Sequence, residues 1–218
     1  IDAYRSLLYL EGVEIAPGEQ KPRPIALDTT HVYWVASSTP AEVRRVAIGG
    51  GQVETLTTSN SWPGFLAADG QNVYYGAAGD TAVYSVPKEG GDRVSLATGL
   101  GFPYGVAVDA SVVCWSDWAN NGVVACGPKV PGTVTELGTV KRSPYAVAIY
   151  GGSVYATSEL GGEIWSAPTD GSAALSMLVD AEKKPQGIAA DASGVYWANS
   201  GDGTLRHVLE LEAVGGEV

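Results

Sequence analysis

Five short apolar segments along the chain share one pattern of hydrophobic and polar positions. Each begins with a proline, carries Ile, Leu or Val three residues later and alanine four residues later, and leads through a polar turn into a second apolar run. The segments begin at Pro22, Pro63, Pro103, Pro144 and Pro185, at intervals of 40 or 41 residues. This periodicity predicts one small β-unit in each repeat.

Each repeat contains four predicted strands separated by turns. Between the first two strands, four repeats place an aspartate that favours a turn and the remaining repeat has Tyr150; the aspartates are Asp28, Asp69, Asp109 and Asp191. The third strands are predicted at Val43–Val46, Val83–Val86, Val124–Gly127, Ile164–Ala167 and Leu205–Val208. A fourth run, such as Val53–Leu56, follows a turn that contains Gly or Pro. Four short strands of this kind are typical of a propeller blade.

The sequence therefore predicts an all-β protein, a β-propeller of four-stranded antiparallel blades. The P-x-G-[IV]-A-x-D pattern of the first strand and the VYW pattern of the second resemble the NHL and YWTD propeller repeats. This resemblance extends over nearly the whole chain and implies the propeller fold. It rests on structural positions, and no function is carried over from it.

Blade number depends on how the two ends of the sequence are interpreted. We expect a single domain over residues 1–218, five-bladed if the chain is complete, with residues 1–21 supplying outer strands of the closing blade. Gly12–Ile15 resembles a fourth strand that the last repeat lacks. Tyr4–Leu8, however, resembles a third strand, which the last repeat already has. A truncated six-bladed propeller is therefore the alternative.

Composition and charge narrow the classes of partner. The formal net charge is -11 and the pI is near 4.5, which disfavours binding to nucleic acid or to an anionic membrane surface. No apolar run has the roughly 18 residues needed to span a bilayer. We expect no nucleic-acid partner, no membrane insertion and a monomer.

Cys114 and Cys126 are the two cysteines, predicted in the second and third strands of one blade. A hairpin turn centred near Asn120 would place them opposite each other, which allows a cross-strand disulfide in an oxidising compartment. The alternative is two small buried side chains. An extracellular or periplasmic location is the corresponding expectation.

The two histidines do not form a predicted catalytic pair. His31 belongs to a turn between the first and second strands, whereas His207 belongs to a third strand. This separation disfavours a Ser-His-Asp triad and the histidine-dependent propeller lyases and lactonases. We therefore predict no catalytic residues and favour a protein that is not an enzyme.

Function in propellers usually lies at the channel mouth, where the loops before strand one and after strand two meet. The repeat alignment places five aromatic residues there, namely Trp62, Phe102, Tyr104, Trp118 and Tyr145. Aromatic rings with polar neighbours are suited to a sugar or a peptide side chain. The favoured hypothesis is a binding propeller for a glycan, a peptide or a protein partner; simple packing between blades is the alternative for each ring.

A second hypothesis concerns Asp117, Glu159 and Asn199, which follow the second strands of three successive blades. Their oxygens could hold Ca²⁺, and in residue type they resemble the metal site of gluconolactonase-like propellers. The corresponding function would be a calcium-dependent hydrolase or lactonase; roles in turns and on solvated faces are the alternative, and we expect no other cofactor. A passive structural propeller within a larger surface protein is the third interpretation.

Overall fold

The computed structural model describes residues 14–19, 21–59, 63–119, 122–140 and 142–209. These residues form nineteen strands arranged in five antiparallel sheets, each with its strands in chain order. The all-β propeller prediction is confirmed. Each of the five first strands begins at one of the prolines that the repeat identified.

The strands are grouped into five blades, and one single-turn 3-10 helix (Ala78–Asp80) interrupts blade 2. Blade 1 contains β1 (Pro22–Leu27), β2 (His31–Ala36), β3 (Ala41–Ala47) and β4 (Glu54–Ser59). Blade 2 contains β5 (Pro63–Ala68), β6 (Asn72–Ala77), β7 (Ala82–Pro87) and β8 (Val94–Ala97). Blade 3 contains β9 (Pro103–Val108), β10 (Val112–Asp117), β11 (Val123–Pro128) and β12 (Thr135–Thr139). Blade 4 contains β13 (Pro144–Tyr150), β14 (Ser153–Ser158), β15 (Glu163–Pro168) and β16 (Ser176–Val179), and blade 5 contains β17 (Pro185–Asp191), β18 (Gly194–Asn199) and β19 (Thr204–Val208).

Blade 5 has three strands among the described residues. Residues 14–19 have no strand assignment, and Ile15 and Ala16 pack against the outer side of blade 1. Of the strands predicted near the ends of the sequence, Tyr4–Leu8 and residues 12–13 lie outside the described residues. The role of residues 1–21 in closing the ring therefore stays a prediction.

The core lies between the blades. Adjacent blades pack face to face. Between blades 1 and 2 the interface combines aromatic and β-branched side chains from both partners, including Tyr33, Val43 and Tyr75. Trp115 is fully buried in the equivalent layer between blades 2 and 3. Burial of such large rings is the main stabilising contribution expected for these two interfaces.

Hydroxyl groups join the innermost strands of neighbouring blades. Ser116 accepts a hydrogen bond from the amide of Gly105 at 2.9 Å and donates one to the carbonyl of Tyr145 at 3.0 Å. Thr157 is the equivalent residue of blade 4, and it bonds Ala146 and Gln186 in the same way. The backbones are so close here that a Cβ on Gly105 would lie 2.6 Å from the Tyr145 oxygen. Glycine is therefore required at position 105.

The turns between first and second strands form the end of the propeller that we call the turn rim. Asp69 accepts two backbone amides on one oxygen, each at 2.8 Å, and on the other oxygen the Tyr74 hydroxyl at 2.8 Å and Lys129 at 2.9 Å. Asp28 makes the same set with Tyr33 and Lys88. The lysine comes from the next blade in both cases. The aspartates thus form the predicted turns and also connect adjacent blades.

These contacts shift the pKa values of both partners in the expected directions. Although burial opposes ionisation, the amides of Asn72 and Gln71 and the Lys129 ammonium lower the pKa of Asp69 to about 2. Burial, together with the hydrogen bond to Asp69, raises the pKa of the Tyr74 hydroxyl. The carboxylate form of Asp69 is therefore the form that stabilises the folded protein.

Candidate functional site

The channel mouth lies at the end of the blades opposite the turn rim. In every blade the pairing of the first and second strands shifts register within the first residues after the proline, for example between Pro63 and Leu66. Such a bulge re-aims the side chains next to it. The residues at the bulge therefore include those that line the mouth.

Three aromatic rings from three blades meet at this mouth. Phe65 lies edge-on to Tyr104 and to Tyr145, with ring centroids 5.5 and 5.6 Å apart. The Tyr104 and Tyr145 centroids are 4.9 Å apart and their hydroxyl oxygens are 3.3 Å apart. Edge-to-face geometry is favourable for aromatic pairs. We call Phe65, Tyr104 and Tyr145 the mouth triad.

Sequence reasoning missed Phe65. It follows Pro63 by two residues, where the other blades have Pro24, Gly105, Ala146 and Gly187, so the repeat gives no aromatic signal at this position. No sequence signal could have found it, because the irregular pairing that follows the proline is seen only in the structure.

Phe102 and Trp118 extend the aromatic surface. Their rings meet edge-on with centroids 5.3 Å apart, and the Phe102 ring lies 6.0 Å from that of Tyr104. The Trp118 side chain is 47% exposed. The structure therefore brings together four of the five predicted aromatic residues, Phe102, Tyr104, Trp118 and Tyr145, while Trp62 lies outside the described residues.

Asp117 fixes the loops that carry Phe102 and Trp118. It is 2% exposed, and its carboxylate accepts the amides of Gly101 at 2.7 Å, Phe102 at 2.6 Å and Ala119 at 3.2 Å. The Trp118 amide also donates to the Phe102 carbonyl at 2.9 Å. A carboxylate with three amide donors is a strong local anchor.

A pocket of about 300 Å³ opens beside the mouth triad. All three triad rings and Phe102 line it, and Arg23 and Ser37 provide polar groups on its wall. Burial and the Tyr104 hydroxyl raise the pKa of Tyr145, so this residue is a neutral hydrogen-bonding group near neutral pH. The pocket is therefore mainly apolar, with a positive charge at one side.

The three predicted calcium ligands have separate hydrogen-bond partners. Asp117 binds the loop amides described above. Glu159 accepts a hydrogen bond from the Gln186 amide at 2.9 Å, and the Asn199 amide donates to Glu182. Within the described ranges, no group of three His, Cys, Asp or Glu side chains could hold a metal ion. The grouping of Asp117, Glu159 and Asn199 around Ca²⁺ therefore stays a prediction.

The remaining sequence candidates lie away from the mouth. His31 contacts Thr30 on the turn rim, and His207 stacks on Tyr196 in blade 5 with ring centroids 5.8 Å apart. Cys114 and Cys126 face each other in the β10–β11 register and form a disulfide. No helix in the described part of the chain is long and apolar enough to cross a membrane.

Comparison with known proteins gives a resemblance to one type of propeller. No protein-family model matches the chain. The vitellogenin receptor of Drosophila melanogaster is 30% identical over 123 residues, which cover 55% of this chain and 6% of the receptor. The chain resembles YWTD-type propellers. It spans only a small part of the receptor that it matches.

Solved structures support the same fold. A chain in the crystal structure of a nidogen/laminin complex aligns with a TM-score of 0.72 and 17% identity, covering 83% of this chain and 72% of that chain. Virginiamycin B lyase from Staphylococcus aureus aligns with a TM-score of 0.66 and 12% identity over 86% of this chain and 69% of the lyase. At these identities the similarity establishes the propeller fold alone.

Proposed function

We propose that the chain is a non-enzymatic binding propeller of an extracellular protein, and that its mouth holds a segment of a protein partner. The observation that carries this proposal is the aromatic pocket, to which three blades contribute the mouth triad. Each ring is fixed by its neighbours before a ligand arrives, so little conformational entropy is lost on binding. Aromatic anchors of this kind commonly dominate protein interfaces.

The pocket favours a peptide side chain over a sugar ring. Its volume of about 300 Å³ accommodates one or two side chains, and its wall is mostly apolar. Sugar binding usually needs an open ring face surrounded by hydrogen-bonding groups, whereas the triad rings meet edge to face. Arg23 would pair with an acidic group next to an apolar anchor on the partner.

Two further observations support the extracellular part of the proposal. The Cys114–Cys126 disulfide is of a type that persists in oxidising compartments. The matched relative is named as a receptor for vitellogenin, and one similar structure is a complex of nidogen with laminin. Both names describe proteins that bind another protein.

The test is selection of short random peptides on the immobilised protein, followed by measurement of their affinity for variants. We expect peptides with an aromatic residue or proline near an acidic residue. Tyr104→Ala and Trp118→Ala should each weaken their binding by about tenfold or more, because each removes an aromatic anchor. Tyr196→Ala, which changes an exposed ring on blade 5, is the matched control and should leave binding unchanged.

Peptides that bind both mouth variants with undiminished affinity would exclude the mouth as the binding site. A glycan array probed in parallel separates the two ligand classes. Glycan binding that depends on Tyr104 would contradict a protein partner while keeping the mouth as the site.

A further inference from the structure

Blades 1, 3 and 5 carry a tryptophan at one equivalent position of the second strand, namely Trp34, Trp115 and Trp197. The Trp34 indole donates to Glu19 at 2.8 Å, and the Trp197 indole donates to Glu182 at 2.9 Å. Among the described residues, no group accepts a hydrogen bond from the Trp115 indole, although this side chain is 0% exposed. Blade 3 therefore keeps the buried donor of the other two blades without an acceptor.

The two glutamates lie just before the proline that begins each first strand, and the equivalent residue of blade 3 is Leu100. The backbone has the same contact at both places. The Leu100 amide donates to the Thr81 carbonyl at 3.0 Å. The Glu182 amide donates to the Gly162 carbonyl at 2.9 Å. The connection is thus held alike in blades 3 and 5, and only the side chain differs.

An arginine accompanies each of these glutamates. In blade 1, Arg44 lies opposite Trp34 across the strand pair, and its guanidinium is 2.8 Å from the Glu19 carboxylate. Blade 5 repeats this arrangement, with Arg206 opposite its tryptophan and 4.0 Å from its glutamate. The residue opposite the tryptophan of blade 3 is Ala125. Blade 3 therefore differs at the cation position as well.

A second carboxylate lies beside the cation position in blades 1 and 3. In blade 1, Arg44 also pairs with Glu42, whose carboxylate accepts the Thr55 hydroxyl at 3.2 Å. Thr55 lies opposite Arg44 in the β3–β4 pairing. Its equivalent in blade 3 lies opposite Ala125 and is Glu136. Blade 3 thus retains the two outer groups of the arrangement, the indole N–H and a carboxylate.

A pocket of about 380 Å³ lies between blades 2 and 3, and it is lined by the residues just compared, Leu100, Trp115, Ala125 and Glu136. Leu96 and Val134 add apolar wall. Asp117 also borders the pocket, but its carboxylate already accepts three loop amides. No lining residue is shared with the pocket beside the mouth triad. The two pockets are therefore separate sites.

The chemistry of a fitting ligand follows from the two groups that blade 3 has replaced. A buried N–H without an acceptor is unfavourable, so a ligand that supplies an acceptor to Trp115 gains a strong hydrogen bond. A ligand carboxylate in this position would also face Glu136, and a cation between the two carboxylates removes their repulsion. Blade 1 has this order of charges, with Arg44 between Glu19 and Glu42.

We propose that the pocket between blades 2 and 3 binds a free α-amino acid with an apolar side chain. Its carboxylate accepts the Trp115 indole N–H, its ammonium group pairs with Glu136, and its side chain packs on Leu96 and Val134. An α-amino acid carries both charged groups on one carbon, which suits two adjacent positions. The site does not depend on a ligand at the mouth.

The first experiment titrates the 218-residue chain with L-leucine by calorimetry and by thermal unfolding. At about ten times its Kd, L-leucine should raise the Tm by about 3 to 6 °C. N-acetyl-L-leucine lacks the ammonium group and L-leucinamide lacks the carboxylate, so each should bind about tenfold more weakly or worse. Absence of binding by L-leucine, L-isoleucine and L-phenylalanine at millimolar concentrations would overturn the proposal.

L-leucyl-glycine distinguishes a free amino acid from the end of a peptide. This dipeptide keeps both charged groups but places them on different residues, so it should bind about tenfold more weakly than L-leucine. Binding as tight as that of L-leucine would show that the pocket takes a peptide end, and would contradict the proposal.

The second experiment changes the two polar groups of the pocket. Trp115→Phe removes the indole N–H and should weaken L-leucine binding by about tenfold or more. Glu136→Gln removes the charge of an exposed side chain and should weaken it by about fivefold. Trp197→Phe removes the equivalent N–H of blade 5 and is the matched control, with L-leucine binding unchanged. Undiminished affinity in Trp115→Phe or in Glu136→Gln would contradict the proposal.

The third experiment rebuilds the arrangement of blades 1 and 5 within blade 3. The double variant Leu100→Glu with Ala125→Arg supplies both charged groups from the chain, so it should keep or raise the Tm and no longer bind L-leucine. A folded double variant that still binds L-leucine would overturn the proposal, and Glu136→Gln keeps the test decisive if the double variant does not fold. Tyr104→Ala, at the mouth, should leave L-leucine binding unchanged; loss of binding there would place L-leucine at the mouth instead.

Discussion

The two ends of the propeller hold their side chains in different ways. At the turn rim, Asp28 and Asp69 occupy equivalent positions in successive repeats. Each accepts hydrogen bonds from two backbone amides, a tyrosine hydroxyl and a lysine ammonium. At the mouth, Asp117 fixes the Phe102 and Trp118 loops, and the equivalent positions of neighbouring blades carry Ala77 and Ser158. The side-chain contacts of the turn rim recur, whereas the mouth adds single side chains to a loop backbone hydrogen bond that recurs in blades 3, 4 and 5.

This difference separates scaffold from site. A contact that recurs in successive blades satisfies a requirement of the blade itself, because each blade meets the same neighbour geometry. A contact that occurs once cannot have that origin. The aromatic rings and their Asp117 anchor are therefore features specific to this chain, whereas the turn-rim contacts are features of the repeat.

The largest effect expected for a polar contact comes from Asp117, the anchor of the mouth. Asp117→Asn replaces an acceptor with an amide donor that faces the Gly101 and Phe102 amides, so we expect a loss of about 3 kcal/mol in unfolding free energy. Urea unfolding measures it. Asp202→Asn, on an exposed turn of blade 5, is the control and should cost much less than Asp117→Asn. Equally small losses of unfolding free energy in both variants would show that Asp117 does not anchor the mouth loops.

An intermediate effect is expected at the turn rim, and it depends on pH. The pKa of Asp69 is about 2 in the folded protein and 3.8 in its ordinary state. Because the folded value is lower, Asp69 stabilises the fold above about pH 4, and this stabilisation is lost as the pH falls towards 2.

The variant Asp69→Asn isolates this contribution. Near neutral pH it should be less stable than the wild type by about 2 kcal/mol, because Lys129 and the Tyr74 hydroxyl lose a charged acceptor. The difference in stability between the two proteins should shrink as the pH falls from about 4 to about 2. Urea unfolding at each pH measures this difference. A difference independent of pH would show that the carboxylate charge is not the source of the stability.

The smallest effect on stability is expected from the exposed ring at the mouth. Trp118→Ala should change the unfolding free energy by about 0.5 kcal/mol or less, since nearly half of the side chain is already in water. Trp115→Ala, three residues earlier and fully buried, should cost about 3 to 5 kcal/mol. Thermal unfolding of the two variants compares them directly. A large loss in Trp118→Ala would assign that ring to the scaffold.

Sequence periodicity predicted most of the fold because every blade needs apolar side chains and turns at the same positions. The five prolines located the first strands, and the third strands at Val43–Val46 and Val83–Val86 lie within β3 and β7. The ion pairs that Asp28 and Asp69 form with the next blade were harder to predict from the sequence, since the lysine that reaches each carboxylate lies 60 residues further along the chain.

The site was predicted only in part, for the same reason. Phe102, Tyr104 and Tyr145 were found because alignment of the repeats places them beside the prolines. Phe65 was not found because the bulge that turns it towards the channel is a backbone irregularity, which side-chain periodicity does not encode. Asp117 was predicted only as a possible calcium ligand, which stays a prediction; its bonds to backbone amides were not foreseen, because backbone amides have no sequence signature.

The Cys114–Cys126 disulfide also affects how the protein responds to proteolytic cleavage. The bond encloses residues 115–125, and Asp117 and Trp118 lie within this covalent loop. A peptide bond cut anywhere between the two cysteines leaves the amino-terminal and carboxy-terminal fragments joined. The loop that carries the exposed Trp118 ring can therefore be nicked without the two halves of the protein separating.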